Sequence, residues 1–489
     1  MNSRDHAQGY AAQALIAGAL LLAAGCAVGP NFEPPKPPTA QAYDTPESSQ
    51  QGSNTPRLAE QPATGADVSG QWWQLFKSPA LDQILRRSIA DNPSLSAANA
   101  TLAAAREAVI VARAGFLPRL GASAGAERSG SSSSTGVPAS GPALYSVGLT
   151  GSYSVDAFGG TRRLVEQQRA LVDMQRYQLA AAYLTLTGNV VTEVLTIAST
   201  RAQIAATYEL LAGDDKNLKL TEREFEAGAA ARTDVLTAEA QLASDQTTLP
   251  SLQQQLSAAR HALALLLGSA PVDWSAPEFD LQDFALPADL PVSLPSALVR
   301  QRPDILAAEA QLHADSAAVG IAVAQEYPSI TLSGALTREA MSASDLFHDF
   351  DSLWSIGGAL TQPIFAGGAL RAQAREARDT FNAQAATYRE VVLTAFGQVA
   401  DDLRALEHDV DRVTGFRRSL RIAADSLKLQ RASYAAGASS VLQLIDAERS
   451  YSQALLGSVG ADAAQLQDCV QLFVALGGGW WNSPYVPPS

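Results

Sequence analysis

Few residues in this 489-residue chain are spaced for chemistry. The strongest candidate is Gly121-Ala122-Ser123-Ala124-Gly125, which matches the G-x-S-x-G elbow that would present Ser123 for acyl transfer. That elbow needs a strand that turns at once into a helix. Here the small residues keep alternating on both sides, so Ser123 reads as an ordinary strand residue. His6, His261, His313, His348 and His408 are scattered, and none has metal-ligand spacing. Gly159-Gly160 and Gly367-Gly368 lack the Lys of a phosphate loop and read as strand-to-helix breaks. No catalytic residue, metal site or cofactor is predicted.

One covalent modification is predicted. Arg4 supplies positive charge, and Ala11 to Gly25 is an apolar stretch shorter than the roughly 20 residues that span a bilayer. Leu22-Ala23-Ala24-Gly25-Cys26 resembles a bacterial lipoprotein signal, which makes Cys26 the lipidated first residue of the mature chain. The departure is Ala23, where that signal usually has Leu; an ordinary secretory signal with an incidental Cys is the alternative. Ala27 rather than Asp follows Cys26, which in lipoproteins implies delivery to the outer membrane. Cys469 lies among apolar residues and reads as a small core residue. With Cys26 acylated, no intramolecular disulfide can form. After the signal no run of 18 apolar residues occurs, so the reading excludes a membrane helix and leaves any crossing to strands.

The elements that carry these residues are written twice. Asn92-Pro93 returns as Arg302-Pro303, Leu117-Pro118 as Tyr327-Pro328, Gly159-Gly160 as Gly367-Gly368, Ala227-Gly228 as Ala436-Gly437, and Ala238-Glu239 as Ala447-Glu448. The offset of about 208–210 residues far exceeds a solenoid repeat of about 20–50 residues and indicates one duplicated unit. The resulting division is a signal peptide (1–25), a Pro/Ser/Gln-rich tether (26–70), a first repeat (71–270), a Pro-rich linker (271–296), a second repeat (297–480) and a tail (481–489). The formal charge of −14 argues against a nucleic-acid groove, which needs clustered Lys and Arg. It fits either plain solubility or a lumen that favours cations.

Within each repeat the period changes. A helical stretch with Leu81, Ile84, Leu85 and Ile89 on one face precedes an Ala-rich helix from Leu95 to Arg113. Then alternation sets in. Tyr145, Val147, Leu149, Tyr153 and Val155 alternate with Ser146, Gly148, Thr150, Ser152 and Ser154; Leu120–Arg128 alternates more weakly. Ser129–Pro142 between them reads as a mobile loop. In the second copy Ile330, Leu332 and Leu336, then Trp354, Ile356 and Leu360, alternate with small polar residues. After each hairpin comes a very long helix, about Thr161–Glu226 and Ala369–Ala436, ended by Gly228 or Gly437. Return helices follow over about Thr233–Leu267 and Val441–Leu476. Helices this long suggest coiled coil.

Runs of about 9–12 alternating residues can cross a bilayer as tilted strands, with apolar side chains to lipid and small polar ones to a lumen. Two ordinary hairpins on a soluble core fit the same pattern. Taken as a barrel, four strands per chain cannot close, since about eight is the smallest useful number. The barrel reading therefore demands an oligomer, and three chains would supply twelve strands.

Six stretches in order carry a family resemblance. They are Gly25-Cys26-Ala27-Val28-Gly29-Pro30-Asn31-Phe32; Trp72-Trp73-Gln74-Leu75-Phe76; Arg302-Pro303-Asp304-Ile305 running on to Tyr327-Pro328; Gln362-Pro363-Ile364-Phe365; Leu444-Ile445-Asp446-Ala447-Glu448-Arg449; and Ala475-Leu476-Gly477-Gly478-Gly479-Trp480. With them the chain resembles the outer-membrane factor (TolC-type) family, in its lipoprotein branch that serves multidrug efflux pumps. The resemblance implies a mainly α fold with a membrane β-barrel, in which an internally duplicated, long-helix coiled-coil tunnel and four strands per protomer form a trimeric twelve-stranded barrel. It implies a homotrimer in outer-membrane lipid that projects into the periplasm and works with a periplasmic adaptor protein and an inner-membrane pump. The helix turns at Gly228 with Thr233, and at Gly437 with Ser439 and Ser440, would meet the adaptor. Leu442 and Asp446, one helical turn apart, would form the Leu and Asp rings that close the tunnel. The implied function is a passive exit duct. A type I secretion or siderophore-export duct of the same fold, and a non-channel coiled-coil lipoprotein, are the alternatives.

Overall fold

The computed structural model describes residues 27–36, 43, 63–64, 68–132, 138–287, 291–292, 295–348 and 351–485. The expected signal peptide 1–25, Cys26, most of the tether and the end of the tail lie outside the described residues. Proline starts several helices, because a first-turn position has no intrahelical acceptor for the missing N–H. Pro79 opens α1 (Pro79–Asp91), Pro93 opens α2 (Pro93–Arg113), Pro295 opens α6 (Pro295–Gln301) and Pro303 opens α7 (Pro303–Ala324). The long helices are α3 (Gly160–Glu226) and α8 (Ala369–Ala435); the return helices are α4 (Arg232–Gln246) with α5 (Thr248–Leu266), and α9 (Val441–Ala475). The strands of the larger sheet are β1 (Arg119–Ser132), β2 (Pro138–Val155), β3 (Ser329–Ala340) and β4 (Asp351–Thr361); Ala63–Thr64 and Pro291–Val292 pair separately in parallel.

The chain divides into two compact units. One comprises Met1–Pro35, Thr101–Arg176 and Ala307–Arg389, and its four strands form an antiparallel sheet in the order β1-β2-β3-β4. Register puts the apolar set on one face. Leu149 lies opposite both Ala122 and Leu336, Leu336 opposite Trp354, and Ile330 opposite Leu360. Small polar residues share the other face, where Gly148 lies between Ser123 and Thr337. Ser123 is therefore mid-strand. The apolar face is open: Ile356 is 84% exposed, Trp354 75% and Leu360 68%.

The other unit comprises Lys36–Ala100, Tyr177–Leu306 and Glu390–Ser489. Its core brings three of the sequence motifs together. Trp72 is fully buried and stacks on Phe473 at 5.3 Å. Trp480 Nε1 donates to Gln301 O at 2.7 Å. Arg302 forks onto Asp304 at 3.0 and 2.6 Å and donates to Gln398 Oε1 at 2.8 Å and Ala475 O at 3.1 Å. That last bond satisfies a carbonyl in the final turn of α9, where a cation is favourable. Cys469 is buried and free, its thiol pushed up to about 12 by burial and then by Asp409 and Asp468. It is the core residue expected.

Three expectations need correction. The loop Ser129–Pro142 is largely strand: the ladder continues from Gly130↔Ser140 to Ser132↔Pro138 after a register shift between Arg128 and Gly130. Ser and Gly carry no hydrophobic period to read, yet their backbones pair, and a bulge accommodates the shift. The first return helix is broken at Thr247, because Pro250 cannot donate back across the break and instead occupies the first turn of α5. Finally, α3 and the Pro93–Phe116 stretch are each long and apolar enough to cross a membrane by length and composition, against the exclusion drawn from the sequence. The α3 window is 61% buried, that of Pro93–Phe116 only 22%; Ala supplies much of the latter's hydropathy.

An open apolar face of this kind needs a nonaqueous neighbour. Ile356→Lys should destabilise the sheet in bilayers by about 2–4 kcal/mol while sparing the helices. Denaturant titration in lipid vesicles, following sheet and helix signals separately, measures this; an unchanged sheet midpoint would place that face in water.

Candidate functional site

Gly228 and Gly437 end their long helices by the same device. Gly228 has φ +75° and Gly437 φ +69°, and a Cβ at either would meet nothing within 4 Å. Ala229 N donates to Glu224 O (2.7 Å) and Gly228 N to Phe225 O (2.9 Å); Ala438 N donates to Ser433 O (2.8 Å) and Gly437 N to Tyr434 O (2.9 Å). These are paired Schellman motifs, in which a left-handed glycine lets the chain satisfy the last carbonyls and leave. The chain then enters α9 through a capping box: Gln443 N donates to Ser440 Oγ, and Ser440 N to Gln443 Oε1 at 3.0 Å. Ala231, at the matching place before α4, has no side-chain oxygen, so only half the box forms, from Ala231 N to Asp234 Oδ2 at 3.0 Å. Ala227–Ala229, Ala436–Ala438, Thr233 and Ser440 are exposed, whereas Ser439 is half-buried.

The two hairpins are fastened together beside their turns. Ala238 of α4 packs with Val441 and Ile445 of α9, joined by Leu218 and Tyr434. Leu427, Leu444 and Ala447 form a second cluster that also touches Tyr434. The Tyr434 hydroxyl donates to Glu224 Oε2 at 2.5 Å, tying the end of α8 to the end of α3. Burial, then Glu224, holds that hydroxyl above its ordinary pKa. Buried Glu448 accepts from Asn217 Nδ2 of α3 and pairs with Arg431 Nη2 of α8 at 3.0 Å. Arg449 Nη2 reaches Gln241 Oε1 of α4 at 3.2 Å. Leu442 and Asp446 take no part in this packing. Leu442 is 54% exposed, Asp446 is exposed, and both lie on the open face of α9 just past the turn.

Two carboxyl pairs lie within these hairpins. Asp214 of α3 is 4% exposed, and its Oδ2 has no donor among the described residues. Its pKa is raised first by burial, then by the facing carboxyl of Asp245 and the charge of Glu448. Asp409 of α8 repeats the situation: it is 2% exposed, Oδ2 lacks a donor, and burial and then Asp468 raise its pKa, against the pull of Arg412 at 2.5 Å. A carboxyl facing a carboxylate needs one shared proton.

Tyr434, Glu224, Glu448 and the two carboxyl pairs were not expected from the sequence. A signal for one of them was present. Tyr434 occupies the repeat position of Phe225, so its hydroxyl is new to the second copy, whereas Glu448 repeats Glu239 and differs only in being buried. A position at which a duplicated unit departs from its own copy is where an added task can be sought.

The model of the family described as outer membrane efflux protein matches residues 84–269 and 294–478. The pyoverdine export outer membrane protein OpmQ of Pseudomonas aeruginosa is 32% identical over 417 residues, 84% of this chain and 87% of that protein. The probable efflux pump outer membrane protein TtgC of Pseudomonas putida is 29% identical over 472 residues, 94% of this chain and 93% of its own. The solved structure of the outer-membrane channel OprN superposes with a TM-score of 0.84 at 28% identity, covering 93% of this chain and all of that one.

The carboxyl pairs make a pH prediction with a definite sign. The folded state holds Asp214 protonated up to about pH 7, while the free side chain ionises near 3.8. The folded state thus carries the extra proton between these values, and stability falls as pH rises through that window. Asp214→Asn supplies a permanent donor. Its stability relative to wild type should rise from pH 4 to pH 7 and stay level above; denaturant midpoints of both proteins across this range measure it.

Proposed function

We propose how this chain, which belongs to the outer membrane efflux protein family, performs export. It is a channel subunit of the outer membrane, its four-stranded sheet and long helices matching those of solved efflux channels. The family is one of channels rather than enzymes, and in our reading the chain performs no chemistry and acts as a passive exit duct. Three copies associate so that their sheets close into one barrel of twelve strands. Each copy is two structural repeats, 71–270 and 297–480, joined by the linker 271–296, and is held at the membrane by acylated Cys26.

The observation that carries the mechanism is the placement of Leu442 and Asp446 on the face of α9 that the protomer leaves open. Around a threefold axis that face would meet two copies of itself. Three Leu side chains would exclude water, and three carboxylates would repel one another and favour cations, so the constriction would be narrow but poised to open. The ties from Tyr434 to Glu224 and from Arg449 to Gln241 would hold the second hairpin against the first and keep the end shut. The turns at Gly228 with Thr233, and at Gly437 with half-buried Ser439 and exposed Ser440, offer the surface on which a periplasmic adaptor would dock, with an inner-membrane pump supplying the energy. The pyoverdine-exporting relative favours a second reading, a siderophore-export duct of the same build. Loss of export under iron limitation alone would select it.

The test is permeability. Leu442→Ala and Asp446→Ala should admit large hydrophilic antibiotics that the wild type excludes. Tyr434→Phe keeps the packed ring and loses only the bond to charged Glu224, worth about 1.5–3 kcal/mol, so the open state should gain about 10- to 100-fold in occupancy. Single-channel recording in planar bilayers reads this directly. Unchanged permeability and conductance in all three variants would remove Leu442 and Asp446 from the aperture.

A further inference from the structure

The segment after Cys26 is bound like a ligand. Val28 N donates to Phe158 O at 3.1 Å. Arg163, on the first turn of α3 and only 4% exposed, turns its guanidinium onto this segment: Nε donates to Val28 O (3.1 Å), Nη2 to Gly29 O (3.3 Å) and to Asn31 Oδ1 (2.8 Å). Its remaining nitrogen, Nη1, pairs with Glu166 Oε2 at 2.7 Å. Glu166 Oε1 meets His313 Nε2 at 3.1 Å, and the ring of Phe32 lies on that of His313 at 4.5 Å and 10°. The fit is close enough to require glycine on both sides. A Cβ on Gly29, at φ +90°, would sit 2.4 Å from Gly320 Cα, and one on Gly159, at φ +80°, would sit 2.6 Å from Ala27 Cα. A Cβ on Gly320 would strike the stem of Arg163 at 2.8 Å.

A loose tether needs none of this. A buried guanidinium is costly unless its donors are filled, and here the backbone of residues 28 and 29 and the Asn31 side chain take three of its five N–H donors and Glu166 a fourth. We propose that Arg163, Gly159 and Gly320, with the Glu166–His313 pair, form an intramolecular receptor for Ala27–Phe32, a strap that fixes the chain adjoining Cys26 at the junction between β2 and α3. The strap accounts for the Val28-Gly29-Pro30-Asn31-Phe32 stretch. Resting on the reading of Cys26 as acylated, it sets where the acyl chains enter lipid: in register with the foot of the sheet, not on a wandering leash.

Hydrogen–deuterium exchange on the purified full-length protein in detergent tests this, read at the Val28 amide. In the wild type that amide should exchange slowly. Gly320→Ala favours the helical conformation of α7 intrinsically, yet should eject the strap, and Arg163→Lys keeps the charge but loses the fork. Both should speed Val28 exchange at least about 10-fold while amides of β2 and β3 stay protected. Wild-type exchange at the rate of an unstructured peptide, or no change in either variant, overturns the proposal. The mass of the N-terminal peptide separates the two readings. Unacylated Cys26 beside a protected Val28 supports the strap and removes the anchor; acylated Cys26 beside a freely exchanging Val28 removes the strap.

Discussion

Backbone amides cannot be left unpaired in hydrocarbon, and that constraint decides what this chain can be. Within one copy the ladder from β1 to β4 pairs every neighbouring strand, but β1 and β4 each keep an outer edge without a partner among the described residues. In water such edges invite aggregation; in lipid each unsatisfied group costs several kcal/mol. The apolar face carrying Leu149, Leu336, Trp354 and Ile356 directs the sheet into lipid, and the edges then require other copies of the same sheet. Because α2, α3, α7 and α8 continue the strands covalently, whatever symmetry closes the sheet is imposed on the helices too. A helix face that lies toward the symmetry axis would then meet its own copies.

That consequence gives meaning to an asymmetry between the two repeats. Both long helices end in the same Schellman turn, and both return helices bury an alanine in the same register, Ala238 and Ala447. The polar tasks, however, have gone to one copy. Where the second repeat has Leu442 and Asp446, the first has Thr233 and Thr237; where the second has Tyr434 and buried Glu448, the first has Phe225 and exposed Glu239. A full capping box at Ser440 and half of one at Ala231 follow the same division. Duplication supplied two equivalent hairpins, and the proposed closure and its ties draw on residues that only the second has in that form.

Much of this was legible in the residues. The switch from a period of about 3.6 to one of 2 locates the hairpins, and Gly228 and Gly437 locate the turns to the residue, because only a left-handed position ends a helix this way. What escaped was of two kinds. The Ser- and Gly-rich continuation of β1 and β2 has no hydrophobic pattern, so its pairing is a backbone property that side chains do not announce. The bonds from Tyr434 to Glu224, from Asn217 to Glu448 and from Arg163 to the N-terminal segment join residues about 130–230 positions apart, and nothing local encodes such a partner. Motifs such as Arg302-Pro303-Asp304 were visible as signatures, but their reason, a forked ion pair that also closes the last turn of α9, needed the fold.

If the sheet lies in lipid, its edges close only between identical copies. Native mass spectrometry of the detergent-solubilised protein, on a preparation whose sheet content is intact, addresses it most directly. The expected spectrum is a single species of three chains, with the sheet lost whenever the assembly is dissociated. A single chain that keeps its four-stranded sheet in detergent would contradict it.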